Sequence, residues 1–154
     1  MRNIFSQSFS ILWGEIKTLR NMMNEPLSSI MTRNVITAGP NDKLAVAQEI
    51  FMSNRVHHLP IVDGRKLVGI LTTYDMFKYH RNNGHHDGTL VRDVMTTHVA
   101  TLEPEDKVGS AAELFLENLF HAVPIVKEGV LQGIVTSFDV LKYEFRKEYP
   151  TQMV

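Results

Sequence analysis

Apolar and polar positions along this chain follow one plan that runs twice. Val35-Ile36-Thr37 predicts a short strand, and Gly39-Pro40-Asn41-Asp42 breaks it and starts a helix. Leu44, Ala47, Ile50 and Phe51 recur at helical spacing, so this helix buries one face until about Asn54. Leu59 to Val62 predicts a second strand, and Asp63-Gly64 a tight hairpin turn. Leu67 to Leu71 predicts a third strand, apolar almost throughout, as suits a sheet covered on both faces. A second helix is expected from Thr73 to about His80. The plan then returns as strands at Val99 to Thr101, Val123 to Val126 and Val130 to Val135. Its helices are expected near Asp106 to Asn118 and from Ser137.

The return is literal. Ile30 to His80 lies on Val94 to Glu144 at an offset of 64 residues without a gap, and about 22 of the 51 paired positions are identical. Such a repeat implies two copies of one unit packed about a pseudo-two-fold axis, with any ligand site occurring as a related pair. Neither copy has enough sheet to cover its own apolar strands, so the two should fold as one body. The expected fold class is α/β (α+β), two pseudo-symmetric β-α-β-β-α repeats in one module. The repeats occupy 25–80 and 90–147, joined by a polar, glycine-containing linker at 81–89 and followed by a tail at 148–154. Before them, Phe5, Phe9, Leu12, Ile16, Leu19 and Met23 mark an amphipathic helix within 1–24. Its apolar face suits packing on this module or a sister subunit, or docking on another protein. Membrane-surface binding is disfavoured, because only Lys17 and Arg20 carry positive charge there, beside Glu15.

Composition narrows the function classes. The chain has 154 residues, 44% of them apolar, enough for one compact domain with a real core. A net charge of −1 gives no basic footprint for polymeric nucleic acid. No apolar run approaches the roughly 18 residues of a membrane span, so no transmembrane segment is expected. Gly14, Glu15 and Lys17 interrupt anything resembling a secretory leader. With no cysteine, disulfides, thiol nucleophiles and thiolate metal sites are excluded. These readings together predict a soluble cytoplasmic protein. His80, His85, His86 and Asp87 have metal-ligand chemistry but sit in or beside the linker, so a solvated loop is the reading and no metal site is expected. No nucleophile–base arrangement is visible, so no enzyme is expected and no catalytic residue is assigned. The eight methionines read as core filler.

The chemistry concentrates where the third strand of each copy meets its helix. Gly69-x-x-Thr72-x-x-Asp75 returns as Gly133-x-x-Thr136-x-x-Asp139. Threonine with an acid three residues on is a capping box, which satisfies orphan amides at a helix start. The same place suits an anion, since free amides and the positive end of the helix dipole point there. A nearby carboxylate can accept the two ribose hydroxyls of a nucleotide, and glycine upstream lets a ligand approach the backbone. His57 and His121 are open to two readings, as ligand contacts or as satisfied polar residues flanking a buried strand.

Four motifs in order, in both copies, resemble one family. Ile30-Met31-Thr32 and Asp93-Val94-Met95-Thr96 open the repeats; Thr37-x-x-Pro40 and Thr101-x-x-Pro104 follow. Next come His57-His58-Leu59-Pro60-Ile61-Val62-Asp63 and His121-Ala122-Val123-Pro124-Ile125-Val126, and the Thr-x-x-Asp signatures close each copy. Over residues 25 to 147 the chain resembles a tandem pair of CBS domains, named after cystathionine β-synthase. The resemblance implies a disc-like module with two clefts, a homodimer, and regulation of a target protein by AMP, ADP or ATP. S-adenosylmethionine, or a docking module without ligand, is the alternative, and no cofactor is required. It also implies roles for residues. Asp75 and Asp139 would hold ribose hydroxyls, and Thr72 and Thr136 phosphate or ribose. Thr37 and Thr101 would line the base pocket, and His57 and His58 would meet phosphate. Pro60, Tyr74, His121, Pro124 and Ser137 complete the nucleotide-binding set. Tyr74 and Phe138 stand where family members often carry a polar residue, which points to packing. His58 is matched by Ala122, so the clefts are expected to be unequal.

Overall fold

The computed structural model describes residues 23–83, 88–118 and 120–150. The expected N-terminal helix lies outside the described residues except at its last positions, as do most of the linker's histidines and the end of the tail. Within the described residues each copy shows a helix, a hairpin and a second helix in the expected order. The first copy runs α1 (Leu44–Asn54), β1 (His58–Asp63), β2 (Lys66–Thr72) and α2 (Thr73–Asn83). The second runs α3 (Val108–Asn118), β3 (Ala122–Lys127), β4 (Val130–Thr136) and α4 (Ser137–Glu148). Helices α1 and α3 start later than Asp42 and Asp106, and each aspartate has another task. Asp42 Oδ2 accepts from the Gly39 amide at 2.7 Å, and Asp106 Oδ2 from the Glu103 amide at 2.7 Å. Each closes a turn before its helix begins.

Each copy contributes an antiparallel hairpin with a two-residue turn. Gly64 lies at φ 63° in one, and Glu128 and Gly129 at φ 52° and 78° in the other. The hairpins join into a four-stranded sheet of order β1-β2-β4-β3. Contact between β2 and β4 is confined to the hairpin tips, where Lys66 pairs with Val130. The Leu67 amide reaches the Gly129 carbonyl at 3.0 Å, and the Leu131 amide the Arg65 carbonyl at 3.0 Å. The strand buried on both faces is β1, with Leu59, Pro60 and Ile61 buried in succession, rather than β2, which alternates. Val123, Pro124 and Ile125 repeat this in β3.

The strands expected at Val35–Thr37 and Val99–Thr101 do not form ladders. One parallel bridge closes in each copy, Ala38 with Ile61 and Leu102 with Ile125, before the chain turns at Pro40 and Pro104. Extended backbone was legible there; a pairing partner for more than one residue was not available.

Two hydrophobic cores result, and each is built from both copies. Leu27 and Met31 precede the first copy's helices, yet they pack with Val108, Phe115, Val123 and Val135 of the second. Val91 precedes the second copy's helices and packs with Leu44, Phe51, Leu59 and Leu71 of the first. The crossing segments are tied to the sheet, Thr32 to Ile134 at 2.9 and 3.0 Å and Thr96 to Ile70 at 2.9 Å both ways. Room for this close approach is left by Gly133 and Gly69. A Cβ on Gly69 would stand 2.9 Å from the Thr96 carbonyl oxygen, and one on Gly133 2.9 Å from that of Thr32. The exchange of lead segments makes one body of the two copies.

Candidate functional site

The ends of β2 and β4 deliver the signature threonines to the helix starts, and both capping boxes close. Asp75 Oδ2 accepts from the Thr72 amide at 2.9 Å and from Thr72 Oγ1 at 2.5 Å, while the Asp75 amide donates back to Thr72 Oγ1 at 3.1 Å. In the second copy the same three bonds measure 2.8, 2.6 and 3.3 Å. The helix start is therefore satisfied in the way a capping box predicts. Among the described residues, all side-chain bonds to either carboxylate fall on Oδ2. Neither Oδ1 takes part in its box, which is closed through Oδ2 alone.

Each box borders a cleft. The Asp75 cleft has a volume of about 420 Å3 and is lined by Thr72 and Tyr74 from its own copy, with Thr96, His98 and Ala100 from the other. The Asp139 cleft holds about 570 Å3 and is lined by Thr136, Ser137 and Phe138, with Thr32, Asn34 and Ile36 crossing from the first copy. Both volumes lie in the range of small-molecule sites. The crossing follows from the exchanged lead segments: the chain that bridges Ile134 or Ile70 runs on to form the opposite wall.

Between the clefts stands a wall of imidazoles. His58 and His121 line both cavities, and His57 lines the Asp139 cleft. Burial holds His58 below its ordinary value of 6.5, charge on His121 and His57 pushes the same way, and Asp75 opposes them. Between the lowered value and 6.5 the unfolded chain binds more protons than the folded one. Stability from this group is thus full above 6.5 and is lost as the pH falls through that window. His58→Gln should lose less of its urea midpoint than the unaltered chain between about pH 7.5 and 5.5. Equal losses in the two proteins would contradict this reading. A phosphate beside His58 would reverse the balance by favouring its charged form.

Not every expected residue reaches a cleft. Thr37 lies in a separate depression with Arg33 and Arg65, and Thr101 in another with Leu67 and Gly129. The cleft walls are formed instead by the residues just before them, Asn34–Ile36 and His98–Ala100. Pro60 and Pro124 are fully buried in β1 and β3 and line neither cavity. Tyr74 and Phe138 are not packed away; they are 70% and 67% exposed at the cleft edges. Several lining residues had no place in the sequence reading, among them Asn34, His98, Phe120 and Arg55. Arg55 sits at the C-terminal end of α1 with φ 55° and lines the Asp139 cleft.

The CBS domain family profile matches this chain twice, at residues 27–82 and 91–146. The protein MJ1225 of Methanocaldococcus jannaschii is 34% identical over 132 residues, covering 78% of this chain and 47% of that protein. This chain thus spans less than half the length of that relative. Among solved structures, CBSX2 in complex with AMP superposes with a TM-score of 0.73 at 25% identity, covering 81% of this chain and 99% of that one. The CBS domain pair of MJ0100, in complex with 5-methylthioadenosine and S-adenosyl-L-methionine, gives a TM-score of 0.72 at 30% identity, covering 80% and 98%. No helix among the described residues is long and apolar enough to cross a membrane. With two matches that together cover most of its length and the same architecture in both copies, the chain belongs to the CBS domain family, as a tandem CBS pair.

Proposed function

We propose that this CBS pair is a regulatory module, not a catalyst, that binds adenosine-containing ligands in its two clefts. The observation that carries the reading is the double Thr–Asp box. At each cleft a carboxylate fixed through Oδ2 presents Oδ1, an acceptor suited to ribose hydroxyls, beside the amides of a helix N-terminus. Two related structures, those of CBSX2 and the MJ0100 pair, hold AMP, 5-methylthioadenosine or S-adenosyl-L-methionine. Asp75 and Asp139 would take the ribose, with Thr72, Thr136 and Ser137 nearby for phosphate. Regulation follows if ligand binds one arrangement of the two copies better than another, since only differential affinity shifts an equilibrium.

Thermal unfolding with AMP, ADP, ATP and S-adenosylmethionine tests the reading. A ligand at 100 times its dissociation constant stabilises by about 2.7 kcal/mol. A shift with at least one compound is expected, and no shift with any would overturn it. The same reading gives the module two protein partners, a regulated target and a second copy of the chain. Phe77 and Leu141, at equivalent places on α2 and α4, are 63% and 65% exposed and offer a self-complementary apolar face for the second copy. Light scattering that returned the mass of a single chain would remove the dimer from this account.

A further inference from the structure

The clefts differ in one permanent charge. Arg55 lines the Asp139 cleft together with His57, His58 and His121. The repeat places Leu119 at the position equivalent to Arg55, and Phe120 at that of Val56. Phe120 lines the Asp75 cleft, whose described lining includes no arginine or lysine. Its ionisable groups are Asp75, Tyr74, His58, His98 and His121, and burial keeps His58 toward its neutral form. Helix N-termini do not distinguish the clefts, because α2 and α4 begin with the same box. An anion entering the Asp75 cleft therefore meets a carboxylate with no fixed cation to offset it. In the Asp139 cleft, Arg55 offsets the Asp139 charge and adds a forked donor suited to phosphate oxygens.

Resting on the adenosine reading above, we propose that the clefts divide ligand chemistry. The Asp139 cleft takes the phosphorylated nucleotide, with Arg55 on its phosphate chain, and the Asp75 cleft takes an adenosine compound with an uncharged 5′ group. His58 and His121, common to both cavities, put the phosphate end of one ligand next to the other site. Arg55 is the specificity determinant, and it takes no part in either Thr–Asp box.

Titration calorimetry with ADP and with adenosine tests this on the unaltered chain and on Arg55→Gln, Asp75→Ala and Asp139→Ala. One event should prefer ADP over adenosine, and Arg55→Gln should lower that preference about 10- to 100-fold, the range for a lost charge-assisted bond. Adenosine binding should be unchanged in Arg55→Gln, which also shows that the variant is folded. The ADP-preferring event should survive Asp75→Ala and weaken about 10- to 100-fold in Asp139→Ala. An undiminished preference in Arg55→Gln, or loss of that event in Asp75→Ala instead, would overturn the division while leaving adenosine binding intact. If the unaltered chain bound neither compound, the division and the reading beneath it would fall together.

Discussion

Placing a methyl group on Gly133 or Gly69 should destabilise the module and loosen the cleft beside it. In Gly133→Ala the new Cβ would meet the Thr32 carbonyl oxygen at 2.9 Å and Met31 Sδ at 2.8 Å. The methionine can move its thioether, but the carbonyl cannot retreat without breaking the Ile134–Thr32 pair. In Gly69→Ala the corresponding contacts are 2.9 Å to the Thr96 carbonyl and 2.7 Å to Met95 Sδ, at the Ile70–Thr96 pair. Overpacking of this kind costs about 1–3 kcal/mol. In a domain of this size, each kcal/mol lowers Tm by about 2–4 °C. Gly88→Ala is the control, since its Cβ would meet nothing within 4 Å. Urea midpoints should fall for the first two variants and hold for the third. A Gly133→Ala midpoint equal to that of the unaltered chain would mean the lead segment is not pinned where the structure puts it.

The second large effect is on binding. Asp75→Ala with Asp139→Ala should reduce AMP affinity about 10- to 100-fold, because a hydroxyl bond to a charged acceptor contributes about 1.5–3 kcal/mol. The same change removes the carboxylate half of each capping box, while the threonine hydroxyl can still accept from the amide three residues on. Circular dichroism must therefore show a folded chain before calorimetric titration is read. Full-strength AMP binding by the folded double variant would put the ribose elsewhere.

Much of this architecture was readable from the chain. The ungapped repeat announced two matched units, and the Thr–Asp signatures marked the ends of β2 and β4 to the residue. The match of His58 to Ala122 led to the expectation of unequal clefts, but His58 lines both cavities, and the described linings differ instead in Arg55. The exchange of lead segments was not readable. Leu27 and Met31 are apolar in either core, and no local pattern says which copy's helices they will meet. The displacement of Thr37 and Thr101 from the clefts follows from that exchange. Once Thr32 and Thr96 are anchored across the sheet, Asn34–Ile36 and His98–Ala100 are the residues drawn along the walls. Arg55 escaped for a different reason. A single exposed residue between a helix and a strand belongs to no periodicity, and only its place in the lining of the Asp139 cleft gives it meaning.

The central claim is that one carboxylate both caps a helix and holds a ligand, through different oxygens. A crystal structure of the chain with AMP tests it most directly. The account predicts a ribose hydroxyl within hydrogen-bond distance of Asp139 Oδ1, about 2.5–3.0 Å, with Oδ2 still bound to the Thr136 amide and hydroxyl. AMP seated away from Asp139, or a Thr136–Asp139 box broken by the ligand, would contradict it.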